Sequence, residues 1–105
     1  MRKIKIDTLI KIGEKDSTVG EQLHGLLEGL PTENAKIAVR QLQIADDLKE
    51  SNENKSEWFV FEDADLVQIQ NVTDLGARKY GPFIIAPIQI AIDEVVTFKG
   101  EEPKE

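Results

Sequence analysis

Residues 3–12 alternate with a period of two, and this run constrains the fold more than any other stretch of the chain. Ile4, Ile6, Thr8, Ile10 and Ile12 fall on one side, and Lys3, Lys5, Asp7, Leu9 and Lys11 on the other. Successive side chains of a strand point to opposite faces, so a β-branched face backed by a charged one predicts a half-buried β-strand. Leu9 is the one apolar residue on the charged side, and a single exposed leucine needs no further account.

Helical patterns follow. Gly13-Glu14-Lys15-Asp16 has the composition of a turn. Thr18-Val19-Gly20-Glu21 reads as a capping box, in which Thr18 accepts from the Glu21 amide and Glu21 reaches back to the Thr18 amide. Val19, Leu23, Leu26, Leu27 and Leu30 then recur at helical spacing, and Gly29 with Pro31 ends the element. Gly20 and Gly25 each cost such a helix about 1 kcal/mol relative to alanine, so packing must hold it, or the glycines admit a close neighbour. A second helix is predicted from about Thr32 to Ser51. Its inward face is Ala35, Ala38, Leu42, Ala45 and Leu48, widened by Ile37 and Ile44. Residues 51–56 are a polar loop.

Trp58-Phe59-Val60-Phe61 is the most strand-prone tetrapeptide and predicts a second strand over about 57–61. Glu62, Asp63 and Asp65 suit the start of a short third helix that carries Leu66, Ile69, Val72 and Thr73 and stops at Gly76. Residues 83–96 fit two readings. Ile84, Ile88, Ile92 and Val95 suit a helix, whereas Ile84, Ala86, Ile88, Ile90 and Ile92 suit a strand. Pro87 is compatible with a helix that begins near Ala86, and helix is the reading favoured here.

An even number of helices between the two strands returns the second antiparallel to the first. The expectation is a single α+β domain over 1–98, with a small antiparallel β-ribbon of 3–12 and 57–61 packed with three to four helices. Residues 83–96 are the alternative third strand, and 99–105 a frayed acidic tail. Ile4, Ile6, Ile10, Leu23, Leu27, Leu30, Leu42, Ala45, Trp58 or Phe59, Leu66, Ile69, Ile84 and Ile88 are expected to share one core.

Chemistry is constrained by what is missing. The 105 residues contain no cysteine and one histidine, His24, with no nucleophile or phosphate-binding motif. Gly76-Ala77-Arg78-Lys79-Tyr80-Gly81 lacks the Lys-Ser/Thr ending of a phosphate loop. His24 has no further nitrogen or sulfur ligands to join it and reads as a lone surface histidine. Glu62, Asp63 and Asp65 could converge on a hard cation, but helix capping explains them without the missing glycine-bearing loop. No metal or other cofactor is expected. Trp58, Phe59 and Phe61 have no interleaved Lys or Arg and read as strand and core residues, not as a base-stacking platform.

The formal charge is −7, unevenly spread: residues 1–12 hold four bases and one acid, residues 41–75 nine acids and two bases. That balance argues against direct nucleic-acid binding, which draws its affinity from Lys and Arg. No apolar run approaches the roughly 20 residues of a membrane span, and the N-terminus has no apolar signal core. Cytoplasmic placement without membrane contact is the expectation, and Asn71-Val72-Thr73 then means little as a glycosylation pattern.

The order of these features resembles a loose class of short open reading frames from tailed phages and prophages. The resemblance rests on the amphipathic Ile4–Ile12 run, Thr18-Val19-Gly20-Glu21-Gln22-Leu23, the Ala- and Leu-rich second helix, Phe61-Glu62-Asp63-Ala64-Asp65-Leu66, and Tyr80-Gly81-Pro82-Phe83-Ile84-Ile85. It spans about residues 4–95, with Pro87 and the strand-like isoleucines departing from it. It implies a setting, the host cytoplasm under infection, and no activity or site residues.

Without a catalytic set, the expected function is a non-catalytic protein-interaction module, an accessory or regulatory factor that binds a protein partner. Dispersed Asp, Glu and Tyr are the one enzymatic route left open. Asp46, Asp47, Glu50, Glu53 and Glu57, with Trp58 and Val60, are the candidate contact residues. Acids near a helix C-terminus oppose its dipole, which favours a positive partner. The alternative is an acidic nucleic-acid mimic that blocks the basic groove of a DNA-binding protein. Lys3, Lys5 and Lys11 guard the first strand against pairing, whereas Trp58–Val60 has no such guard. The second strand is therefore expected to be covered, by 83–96 or by another chain, and a homodimer across it is the expected assembly.

Overall fold

The computed structural model describes residues 1–97. The tail expected over 99–105 lies outside the described residues. The chain forms a small α+β fold, with four helices and antiparallel sheets of three and two strands among the described residues.

The alternating run divides into two strands. Arg2–Lys5 forms β1 and Leu9–Ile12 forms β2, in different sheets. Between them the chain serves its neighbours: the Ile6 amide donates to the Glu57 carbonyl at 2.9 Å. The Thr8 and Ile6 carbonyls accept from the amides of Val19 and Gly20, each at 3.0 Å. Amides at a helix N-terminus have no partner within the helix, so the bend at 6–8 satisfies groups that a straight strand would leave bare. Ile4, Ile6 and Ile10 remain buried, while Thr8 and Ile12 are exposed.

β2 returns through Gly13, whose φ of +64° favours glycine, into β3, Lys15–Thr18. The register runs from Leu9 opposite Thr18 to Ile12 opposite Lys15. The turn expected over 13–16 is thus only Gly13 and Glu14, and residues 15–18 are strand.

Helix α1 is Val19–Gly29, and the Thr18 hydroxyl accepts from the Glu21 amide at 3.1 Å. The Glu21 carboxylate accepts from the Ser17 hydroxyl at 2.9 Å, so the capping box is made on one side only. Val19, Leu23, Leu26, Leu27 and Leu30 are all buried, as their spacing requires. Helix α2 is Ala35–Glu53, capped by the Asn34 side chain, which accepts from the Ile37 amide at 3.0 Å.

The inward face of α2 is rotated from the expected one. Gln41, Ile44, Ala45 and Leu48 are buried, whereas Ala35 is exposed and Leu42 is 53% exposed. The cause is the end of α1, whose last carbonyls need donors. The Gln41 amide supplies them, donating to Leu27 O at 2.8 Å and Leu30 O at 3.2 Å.

Strand β4, Trp58–Phe61, pairs antiparallel with β1, with Arg2 opposite Phe61 and Lys5 opposite Trp58. Ile4 and Phe59 enter the core, and the Phe59 and Phe61 rings lie 5.5 Å apart. Trp58 is half-buried on the other face, with the Lys3 ammonium 4.8 Å from its ring centroid. Helix α3 is Asp65–Gly76 and helix α4 is Pro82–Asp93.

The helical reading of 83–96 is the one the structure takes, for all but its end. Val96–Thr97 forms a two-residue β5 against β1, on the side away from β4. Residues 83–96 therefore do not cover β4, which has no second strand neighbour among the described residues. Pro82 starts α4, and Pro87 inside it removes a donor for the Phe83 carbonyl. Phe83 lies on the exposed side of the helix, so water can serve that carbonyl.

Candidate interaction surface

The chemistry-bearing side chains are taken up by the fold. Asp65, buried at the first turn of α3, accepts from Arg40 of α2 through both carboxylate oxygens, with Nε at 2.9 Å from Oδ1. Asp63 sits 2.9 Å from the Met1 amino group and 3.6 Å from Arg2 Nε. The hydrogen bond to the amino terminus holds Asp63 below the usual carboxylate range. These acids therefore pair with cations and do not cap α3, whose N-cap Ala64 makes no side-chain hydrogen bond.

His24 is half-buried, not fully at the surface, and Nε2 lies 3.4 Å from Glu28 Oε2 one helical turn on. Among the described residues no group of three or more His, Cys, Asp or Glu side chains could hold a metal ion. A groove of about 360 Å³ between the α1–α2 connection and α3 is lined by Glu33, Gln68, Asn71 and Asp74 with Pro31, Ile37 and Leu75. Thr32 supplies the one hydroxyl of that lining, and it donates to the Asn34 carbonyl at 3.0 Å. No helix among the described residues is long and apolar enough to cross a membrane.

The outward face of α2 is different in kind. At 100° per residue, Val39, Leu42, Gln43, Asp46, Glu50 and Glu53 lie along one side, opposite the buried Gln41–Leu48 face. Val39 is 60% exposed. An apolar patch thus runs into a ladder of carboxylates at spacings of four and three. Such like-charge neighbours oppose helix formation slightly, and Lys49, three residues after Asp46 and four before Glu53, flanks the ladder and offsets part of that repulsion. Asp47 is exposed on the flank of this ladder.

Glu57, Trp58 and Val60 are elsewhere. Glu57 leads into β4 and lies 3.5 Å from the Lys5 ammonium. Trp58 and Val60 project from the sheet face opposite Phe59 and Phe61, the face that enters the core with α2 behind it. The seven candidate residues therefore do not form one continuous surface: Asp46, Asp47, Glu50 and Glu53 lie on α2, and Glu57, Trp58 and Val60 lie at or just before β4.

The sequence pattern does not reveal the apolar half of the α2 face, because it turns Leu42 inward, and it reads 83–96 only as core or as cover for the second strand. Phe83 is 82% exposed and Ile90 54% exposed on α4. The signal was available: no charged residue occurs between Lys79 and Asp93. A helix whose only polar side chain before Asp93 is Gln89 has more hydrophobic surface than one core can cover. No protein family, no curated protein and no solved structure matches the chain.

Proposed function

We propose that the protein is a non-catalytic protein-interaction module whose α2 outward face receives a cationic, partly apolar segment of a partner. The observation that supports this reading most is the continuity of Val39 and Leu42 with Asp46, Glu50 and Glu53 along one side of α2. The apolar end offers area for burial, and the acidic end steers and orients a positive partner. The setting, a phage or prophage factor acting on a host protein, rests on the sequence resemblance alone.

Affinity capture from a bacterial lysate tests the reading. The wild-type protein should retain a partner at low salt and release it as ionic strength rises, since exposed charges are screened beyond about 10 Å at 0.1 M. The variant Asp46→Asn/Asp47→Asn/Glu50→Gln/Glu53→Gln should fold normally and retain far less. Full, salt-insensitive retention by that variant would remove α2 from the interface. The nucleic-acid mimic is the competing outcome, recognised by a retained DNA-binding protein that duplex DNA displaces. The ladder's short extent weighs against it: residues 46–53 span about 10 Å, near the length over which duplex DNA carries six phosphates.

A further inference from the structure

The exposed side of α4 is a second surface, independent of α2, and its pattern has an internal symmetry. Phe83, Ala86, Pro87 and Ile90 lie along it, with no charge among them. Glu94, the residue that caps α4, continues the same side at its C-terminal end. Arg78 and Lys79 precede its N-terminal end, and Lys11 borders the groove of about 400 Å³ that Phe83 shares with Ile12 and Gly13. Among the described residues none of Lys11, Lys79 and Glu94 is in an ion pair.

We infer that this face is covered by a second copy of the same chain, with the two α4 helices antiparallel about a two-fold axis. Antiparallel pairing centred between Ala86 and Pro87 sets Phe83 against Ile90 of the other copy. It also brings the basic N-terminal end of the stripe, where Lys11 borders Phe83, toward Glu94 of the other copy, once on each side of the axis. A two-fold interface must be self-complementary, and a stripe that is basic at one end, apolar in the middle and acidic at the other meets that condition only when reversed. The reversal also opposes the two helix dipoles favourably. Ala86 at the centre lets the backbones approach. The groove beside Ile12 receives Ile90 of the other copy. The edge of β4 that has no strand neighbour among the described residues is the competing site, but it is only four residues long and Lys3 lies across its Trp58.

Sedimentation equilibrium and cross-linking test the proposal. The wild-type chain should dimerise, and Phe83→Glu should raise the dissociation constant at least tenfold, about 1.4 kcal/mol, with an unchanged circular dichroism spectrum. Because the chain has no cysteine, Ala86→Cys provides a direct reading of the axis. It should oxidise to a disulfide-linked dimer, whereas Gln43→Cys on the outward face of α2 should not. A strict monomer up to about 1 mM would overturn the inference. So would a dimer that Phe83→Glu leaves intact, which would put the interface elsewhere, or equal cross-linking by the two cysteine variants.

Discussion

Gln41 shows how one polar side chain can set the orientation of a helix. It is 3% exposed, donates to two carbonyls at the end of α1, and accepts from Gln68 of α3. Three elements are tied through one amide. Gln41→Leu keeps the volume and deletes the donor, leaving buried carbonyls without partners, each costing about 1–3 kcal/mol. Thermal or urea unfolding should show a loss of about 2–3 kcal/mol, and an unchanged midpoint would mean that water reaches the end of α1. The glycines of α1 make a contrasting pair. A Cβ at Gly25 would meet nothing within 4 Å, so Gly25→Ala should stabilise by about 0.5–1 kcal/mol through helix propensity alone. A Cβ at Gly20 would lie 2.1 Å from Asn52 Oδ1 and 3.1 Å from Ile6 Cβ. The Asn52 side chain can swing away, but Ile6 is held by its own backbone bonds to Glu57 and Gly20. Gly20→Ala should therefore destabilise by about 1 kcal/mol net of the propensity gain. Equal midpoints for the two alanine variants would remove the close approach as the reason for Gly20.

Between elements, the Met1–Asp63 contact joins the start of β1 to the turn before α3. A carboxyl whose pKa is lower in the folded state adds stability above its unfolded pKa of about 3.9 and loses it as pH falls through the lowered value. Acid unfolding of the wild type should therefore include a component below about pH 4 that Asp63→Asn lacks. The two melting curves should differ at neutral pH and converge in acid. A constant offset down to pH 2 would assign the difference to something other than ionisation. The same scale shows what the amino-acid pattern could reveal. The antiparallel β1–β4 pairing and all four helices were legible, because hydrophobic period and helix parity are local properties. The α1 stripe was legible in full, since leucines at helical spacing face one way. The division of 3–12 was not, because it depends on carbonyls at Ile6 and Thr8 serving amides at Gly20 and Val19, a long-range requirement. Neither was the rotation of α2: apolarity pointed to Leu42, and the need of α1 for donors selected Gln41. Of the candidate surface, the acids could be named from charge alone. That Trp58 and Val60 lie on the β4 face turned away from the buried Phe59 and Phe61 required the strand's place in the sheet.

At the scale of the whole molecule, the chain separates its surfaces by chemistry: an acidic ladder on α2, a stripe on α4 whose middle is apolar, and a buried core. If both assignments hold, the two-fold dimer presents two α2 faces on one particle. A dimer that engages two sites on a single support replaces the second encounter with an intramolecular one, at an effective concentration that can reach the millimolar range. The consequence is measurable with oligolysine as a simple cationic probe. On a densely coated surface the wild type should dissociate at least about tenfold more slowly than Phe83→Glu, because the variant retains its α2 face but holds only one per particle. On a sparsely coated surface, where neighbouring probes are too far apart to bridge, the two should dissociate at the same rate. Neutralising Asp46, Asp47, Glu50 and Glu53 should abolish binding at both densities while leaving the dimer intact. Equal dissociation on the dense surface would mean that the two ladders cannot reach one plane together. Slower dissociation of the wild type on both surfaces would instead place part of the cationic site on α4 itself.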